Sequence, residues 1–384
     1  MKRADLEEDL LRWMGDEAWA FDPTRFEHIA LALFRFQFEH CKPYSMLCQS
    51  LDRTPDRVAN ADEVPAVPTG AFKDFDLRCF DADATIRTFR TSGTSTDRRG
   101  RLHLDRLDLY EASLLSSLRH CLLARDPDHP ERPRITRMRF LAPSPVQAPD
   151  SSLSYMFGAL CREEGRDEGP SEGGTGSGFD LLDDELDLAS LHEAIEEARR
   201  VDEPVLVAGT AFAFVHFLDQ APHAGWQLPT GSRVMETGGF KGRSREIPRA
   251  ALHAQIVERF DIPASHVINQ YGMTELGSQF YDSTLVDPNG PRRKLVPAWT
   301  RVRFVDPITG RRVEDGEVGM IRIHDLANTG SVAAIQTADL GRSVLNETGR
   351  PIGFEVIGRA EDAEARGCSI ATDLMLEASR GGTR

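Results

Sequence analysis

Lysine is the scarcest charged residue in this chain. Five lysines, at positions 2, 42, 73, 241 and 294, stand against forty-one arginines, and none follows position 294. Cysteine is scarce too: six residues at 41, 48, 79, 121, 161 and 368, with no Cys-x-x-Cys pair. That spacing excludes a zinc knuckle and a disulfide framework, and it predicts a reduced, cytoplasmic protein. No apolar run reaches 18 residues, so no membrane-spanning helix is expected. The N-terminus starts as an acidic amphipathic helix and lacks the apolar stretch of a signal peptide. Positive charge is short overall, with a net charge of −15 and a pI near 5.3. Neither nucleic acid nor an anionic membrane surface is therefore expected as the main partner. At 384 residues and 40% hydrophobic, the chain can bury a core and divide into two or three units.

Taken in order, residues 1–60 read as helices with crowded aromatic positions that suit core packing. Residues 64–73 are punctuated by proline and read as an extended segment. An alternating run over 84–89 then leads into Phe-Arg-Thr-Ser-Gly-Thr-Ser-Thr-Asp-Arg-Arg-Gly-Arg (89–101). Five hydroxyls, two glycines and four arginines in thirteen residues suit a polyphosphate, through hydroxyls, backbone N–H groups and guanidinium forks. No Gly-Lys-Ser/Thr follows, which excludes a Walker A loop. A mobile polar hairpin tip fits the same composition. Residues 107–124 and 151–162 read as helices, with Cys121 and Cys161 as core residues, and 139–142 as a short strand. A formal Gly-x-Ser-x-Gly match around Ser171 (169–173) lacks the apolar strand that a nucleophile elbow requires; its acidic flanks make it a solvated loop.

From residue 188 the rhythm becomes α/β. A helix (188–200), a strand (204–210), a helix (211–218), a strand (232–239), a helix (246–260) and a strand (266–269) follow one another. This alternation predicts a doubly wound, mainly parallel sheet. Its three successive strands end in Gly-Thr, Gly-Gly and Tyr-Gly, so those ends are expected along the carboxyl edge, where such sheets bind ligands. The last strand delivers Thr274 and Glu275, a phosphate-bonding hydroxyl and a Mg²⁺-holding carboxylate. An ordinary turn followed by a helix start fits the same pair. Beyond residue 290, short alternating strands predict a small β subdomain. The expected division is 1–60, an N-terminal helical region; 61–345, the main domain; and 346–384, a hinge with a short terminal segment.

Four motifs in order, Arg-Thr-Ser-Gly-Thr-Ser (90–95), Gln-Tyr-Gly-Met-Thr-Glu (270–275), Gln-Thr-Ala-Asp-Leu-Gly (336–341) and Gly-Arg-Ala-Glu-Asp (358–362), resemble the ANL adenylate-forming superfamily. Met-Glu-Thr-Gly-Gly-Phe-Lys-Gly-Arg (235–243) and the residues after Tyr271 resemble the acyl-protein synthetases of bacterial bioluminescence in particular. The resemblance covers roughly residues 60–370 and implies ATP and Mg²⁺ as cofactors. It implies that Thr91, Ser92, Gly93 and Thr94 hold the ATP phosphates, and that Gly238 and Gly239 lie against adenine near Tyr271. Thr274 would contact the α-phosphate, Glu275 would bind Mg²⁺, Asp339 would take the ribose hydroxyls and Arg359 would sit at the hinge. Phe212 and His216 fall where the acyl pocket of the family is lined; a core phenylalanine and a satisfied histidine fit there equally.

Two departures stand out. The superfamily's larger members carry a C-terminal domain with an adenylation lysine, and no lysine follows Lys294. Arg98, Arg99 and Lys241 are the candidates to supply that charge. The third motif reads Thr-Ala-Asp where the superfamily has Thr-Gly-Asp. Cys368 lies just past the hinge motif, and the resemblance implies a cysteine near the C-terminus that holds the acyl group before passing it to a reductase. An unreactive tail cysteine fits the same position. The expected reaction is activation of a carboxylic acid, chiefly a fatty acid, to acyl-AMP, followed by thioester formation. The alternatives are transfer to coenzyme A, a carrier protein or an amine; a serine hydrolase acting through Ser171; and a non-catalytic nucleotide-binding protein.

Overall fold

The computed structural model describes residues 2–16, 19–92, 99–126, 128–165, 176–183, 185–238, 247–360 and 375. In chain order the first half holds α1 (Arg3–Asp16), α2 (Pro23–His40), α3 (Lys42–Ser50), β1 (Val67–Pro68), α4 (Ala71–Asp74), β2 (Arg87–Arg90), β3 (Arg101–Leu104) and α5 (Asp108–Cys121). There follow β4 (Arg137–Leu141), α6 (Ser152–Glu164), β5 (Gly178–Phe179), β6 (Leu181–Leu182), β7 (Glu185–Leu186), α7 (Leu188–Val201), β8 (Val205–Thr210) and α8 (Ala211–Gln220). The rest comprises β9 (Arg233–Thr237), α9 (Arg249–Phe260), β10 (Val267–Tyr271), β11 (Phe280–Tyr281), β12 (Thr300–Val305), β13 (Gly319–Asp325), β14 (Ala334–Leu345) and β15 (Pro351–Arg359). Two compact units result. The first draws on residues 1–116, 273–279 and 293–384, the second on 117–272 and 280–292.

The second unit is the expected doubly wound layer. Its six-stranded sheet runs β11-β10-β9-β8-β4-β5, parallel throughout except for β11. Alternating strand residues face opposite layers. Val205, Val207, Val234 and Val267 pack with Leu191 and Ile195 of α7, Phe214 and Phe217 of α8, and Leu252, Ile256 and Phe260 of α9. On the other face Phe140 stacks on Phe157 of α6, with ring centroids 4.4 Å apart. Thr210 closes β8 and opens α8, because its Oγ1 accepts a hydrogen bond from Ala213 N at 3.1 Å, a helix N-cap. Arg139, fully buried on β4, forms an ion pair with Asp180 and donates to Ser190 Oγ at 2.7 Å. Burial pushes the Asp180 carboxyl up to about 6.

The first unit carries the β subdomain. β12, β13, β14 and β15 pair antiparallel, and β1 adds to β14 in parallel, with Val67 opposite Ile335. The N-terminal helices share its core. Leu6, Leu10 and Trp13 of α1 and Phe26, Ile29 and Leu33 of α2 cluster with Trp299, Leu326 and Ala333.

Several expectations are corrected. Thr274 and Glu275 do not begin a helix: Leu276 N donates to Met273 O at 3.2 Å, closing a single β-turn around them. Residues 71–73, read as extended, fall in the short helix α4. It starts at Ala71, two residues clear of Pro68, where proline no longer blocks helical backbone. The helix expected over 246–260 starts at Arg249, after Pro248. The run over 84–89 becomes strand only at Arg87. Among the described residues no helix is long and apolar enough to cross a membrane.

Candidate active site

In the first unit the hairpin of β2 and β3 is tied off at its base. Thr91 N donates to Gly100 O at 3.0 Å, and Gly100 N donates to Thr91 Oγ1 at 2.9 Å. The Thr91 hydroxyl thus accepts one bond and retains its own hydrogen to donate. Gly100 is buried here for a steric reason. A Cβ at this position would lie 3.0 Å from Thr91 Cγ2, 3.5 Å from Glu275 Oε1 and 3.5 Å from Phe72 Cβ. Within the first unit the structure therefore brings Thr91 and Glu275 together, with Thr91 and the Glu275 carboxylate flanking the glycine. Glu275 is 6% exposed. Ser92 is exposed on the same hairpin, and Arg99 is half-buried beside Gly100. Asp339, on β14, lies directly opposite Arg359, on β15, and its backbone N–H donates to Thr337 Oγ1 at 3.1 Å. Two further expected site residues are thereby neighbours.

Residues the sequence did not single out hold the Glu275 turn. Asn328 Nδ2 donates to the Glu275 carbonyl at 2.8 Å. Two residues past the turn, Ser278 is fixed by Asp325, whose Oδ2 accepts from Ser278 N at 2.9 Å and Oδ1 from Ser278 Oγ at 2.7 Å. Trp299 Nε1 and Ser113 Oγ complete this buried cluster around Ser278 Oγ, at 3.0 and 2.9 Å. Burial raises the Asp325 carboxyl to about 6 against the lowering effect of these donors. Its strand neighbour His324 is pushed down to about 4, chiefly by burial and then by the Arg301 charge.

In the second unit the ends of β8, β9 and β10 are in register. Thr210 lies opposite Thr237, and Thr237 opposite Gln270, so the predicted carboxyl-edge alignment holds. Gly238 follows β9 with φ of +79°, and Tyr271 ends β10 half-buried, its ring 6.2 Å from Phe280. Phe212 and His216 lie one turn apart on α8, half-buried, with ring centroids 5.3 Å apart. His216 Nδ1 accepts from Gln220 Nε2 at 3.0 Å. A polar cluster braces this edge. The fully buried Glu236 accepts from Asn269 Nδ2 at 2.7 Å and from His253 Nε2 at 2.9 Å. Arg292 Nη1 lies 2.7 Å from His253 Nδ1. A guanidinium only donates, so Nδ1 accepts and the histidine proton sits on Nε2, directed at Glu236. Glu236 stood inside the 235–243 motif; its partners are distant in sequence and carried no local signal.

Five cysteines, 41, 48, 79, 121 and 161, are buried, and none of them forms a disulfide among the described residues. Burial pushes the Cys48 and Cys161 thiols up to about 12, which removes them as nucleophiles near neutral pH. Gly93, Thr94, Arg98, Ser171, Gly239, Lys241 and Cys368 lie outside the described residues.

Residues 179–376 match the family model described as acyl-protein synthetase, LuxE. Over 96% of its length the chain is 22% identical to a long-chain-fatty-acid--luciferin-component ligase of Aliivibrio fischeri, covering 94% of that protein. Among solved structures it is similar to 2-hydroxyisobutyryl-CoA ligase in the postadenylation state in complex with 2-HIB-AMP. That match has 16% identity and a TM-score of 0.61, over 90% of this chain and 70% of that one. ATP-bound MatB from Rhodopseudomonas palustris aligns over 74% of this chain at 17% identity and a TM-score of 0.46; the chain spans 50% of its length. The fold is that of the adenylate-forming ligases.

Proposed function

The chain belongs to the LuxE acyl-protein synthetase family, and on that premise we propose that it activates a long-chain carboxylic acid with ATP and passes the acyl group to a cysteine. The observation that carries this reading is the meeting of Thr91, Gly100 and Glu275 in the first unit, which joins a hydroxyl, a backbone cradle and a buried carboxylate. A triphosphate needs such groups: the hydroxyl hydrogen that Thr91 retains can be donated to its oxygens, and a carboxylate serves its counter-cation. The Glu275 oxygen beside a glycine cradle suits Mg²⁺, which keeps phosphate oxygens and takes few protein ligands. When bound, Mg²⁺ would neutralise phosphate charge.

In this reading Thr91, Ser92, Gly93 and Thr94 hold the phosphates and Thr274 bonds the α-phosphate. Gly238, Gly239 and Tyr271 flank adenine, Asp339 takes the ribose hydroxyls, and Arg359 sits at the hinge. Phe212 and His216 line the acyl site. A carboxylate oxygen of the substrate attacks the α-phosphorus; the new O–P bond forms as the bond to pyrophosphate breaks, and pyrophosphate leaves with the electron pair. Arg98, Arg99 or Lys241 supplies the positive charge that offsets the phosphates there. Cys368 then attacks the acyl carbon as a thiolate, its proton going to water. The C–S bond forms, the C–O bond to AMP breaks, and AMP leaves. The burial of five of the six cysteines supports Cys368 as the acceptor. A reductase that accepts the acyl group is the partner this chemistry calls for, and a cytoplasmic setting keeps the thiol reduced.

Intact-protein mass after incubation with ATP, Mg²⁺ and a panel of fatty and aromatic acids tests the reading. An adduct equal to one acyl group, absent from Cys368→Ser, is the expected result. AMP release without an adduct would move the acceptor to coenzyme A, a carrier protein or an amine. Neither product from any acid would refute the activity.

A further inference from the structure

Glu275 sits in a β-turn closed by the bond from Leu276 N to Met273 O. We propose that Asn328 is a positioning residue for Glu275, fixing the turn so that its carboxylate stays at the Thr91–Gly100 cradle. This rests on reading Glu275 as the carboxylate that holds the cation accompanying ATP. The Glu275 carbonyl is anchored by Asn328 Nδ2 at 2.8 Å, so the peptide plane that follows Glu275 is held. Asn328 is itself clamped from α2, because Gln37 Nε2 donates to the Asn328 carbonyl at 2.8 Å and Gln37 Oε1 accepts from Ala333 N at 3.0 Å. Asp325 grips the far side, taking Ser278 N, Ser278 Oγ and Ala327 N. Asn328, Gln37, Ser278 and Asp325 are each 3% exposed or less.

A fully satisfied polar network in a core stabilises less than apolar packing of the same volume would, but it admits one arrangement. Here that arrangement terminates on the backbone of the residue whose side chain must be aimed. The polar burial of the loop after β13 is thereby given a purpose, as is the packing of α2 against it. Removing the groups that orient a metal ligand commonly weakens metal binding by about ten- to a hundredfold.

Mn²⁺ binding in the presence of ATP, followed by the paramagnetic resonance of free Mn²⁺, reads this directly and without turnover. In full-length protein Asn328→Ala should weaken Mn²⁺ by about tenfold or more. Ser278→Ala, which loses the hydroxyl bond to Asp325 Oδ1 and keeps the backbone bond to Oδ2, should weaken it in the same direction by less and serves if Asn328→Ala folds poorly. Thr329→Val is the control. It removes a buried bond of the same loop, Thr329 Oγ1 to Glu7 Oε1 at 2.6 Å, but no contact of Glu275, and should lower Tm while leaving Mn²⁺ affinity unchanged. Wild-type affinity in Asn328→Ala and Ser278→Ala overturns the inference, as does an equal loss in Thr329→Val, which would mean general loosening. Wild-type affinity in Glu275→Gln would instead overturn the metal reading itself, in a separate arm of the same titration.

Discussion

His324 and Asp325 are consecutive on β13, both buried, and their protonation pulls the first unit in opposite directions as pH changes. Burial and Arg301 push His324 from 6.5 down to about 4, so the unfolded chain binds this proton more readily between those values. Stability from His324 therefore rises as pH climbs from about 4 to 6.5 and is lost as pH falls. Asp325 moves from 3.8 up to about 6, so the folded chain binds its proton more readily. Its contribution falls as pH climbs through nearly the same window. At 1.36 kcal/mol per pKa unit each is worth about 3 kcal/mol, of opposite sign. In the wild type they nearly cancel. Replacing one unmasks the other. Relative to wild type, His324→Gln should lose about 3 kcal/mol of stability between pH 4 and 6.5, and Asp325→Asn should gain about as much over the same interval. Asp325→Asn also starts from a constant deficit, because one of its donors is left without an acceptor. Urea unfolding at several pH values measures this, in a Trp226→Phe background where the remaining tryptophans, 13, 19 and 299, all belong to the first unit. Single-variant curves that stay parallel to wild type within about 1 kcal/mol would refute the reasoning.

Two further outcomes follow from the geometry. Gly100→Ala places a methyl 3.0 Å from Thr91 Cγ2 and 3.5 Å from Glu275 Oε1, so it should raise the ATP concentration needed for acid-dependent ATP–pyrophosphate exchange while shifting Tm little; unchanged exchange would remove the cradle from the site. Arg139→Leu strands the buried Asp180 and should cost the second unit about 3–5 kcal/mol, with most of it recovered in Arg139→Leu/Asp180→Leu, as read by urea unfolding followed through Trp226.

How much of this was legible before the structure depends on the range over which each feature is encoded. The strands β8, β9 and β10 were readable because each is a short apolar run closed by Gly-Thr, Gly-Gly or Tyr-Gly, and those signals lie at the strand's own end. The meeting of Thr91 and Gly100 with Glu275 was readable only through the resemblance, since nothing in either stretch names the other. β1 was unreadable: a two-residue strand with a proline gains strand character only from β14, which pairs with it at Ile335 and Gln336. Whether Thr274 and Glu275 form a turn or begin a helix was left open in the sequence for a related reason. The backbone there is held from Asn328 and, through Ser278, from Asp325, so local propensity did not decide it.

The polar residues give the sharper lesson. Gln37 and Asn328 are 291 positions apart and were not singled out in the sequence, yet both are buried and bonded to each other. Hydrophobic periodicity reports which face an element buries, but a buried amide breaks that pattern and is counted as solvent-facing. Such a residue is retained against its desolvation cost where a backbone must take one geometry and no other. In the first unit the backbone so constrained is that of Glu275. The binding groups are therefore marked in the sequence by short motifs, whereas the residues that aim them are marked only by burial, which the fold alone reveals.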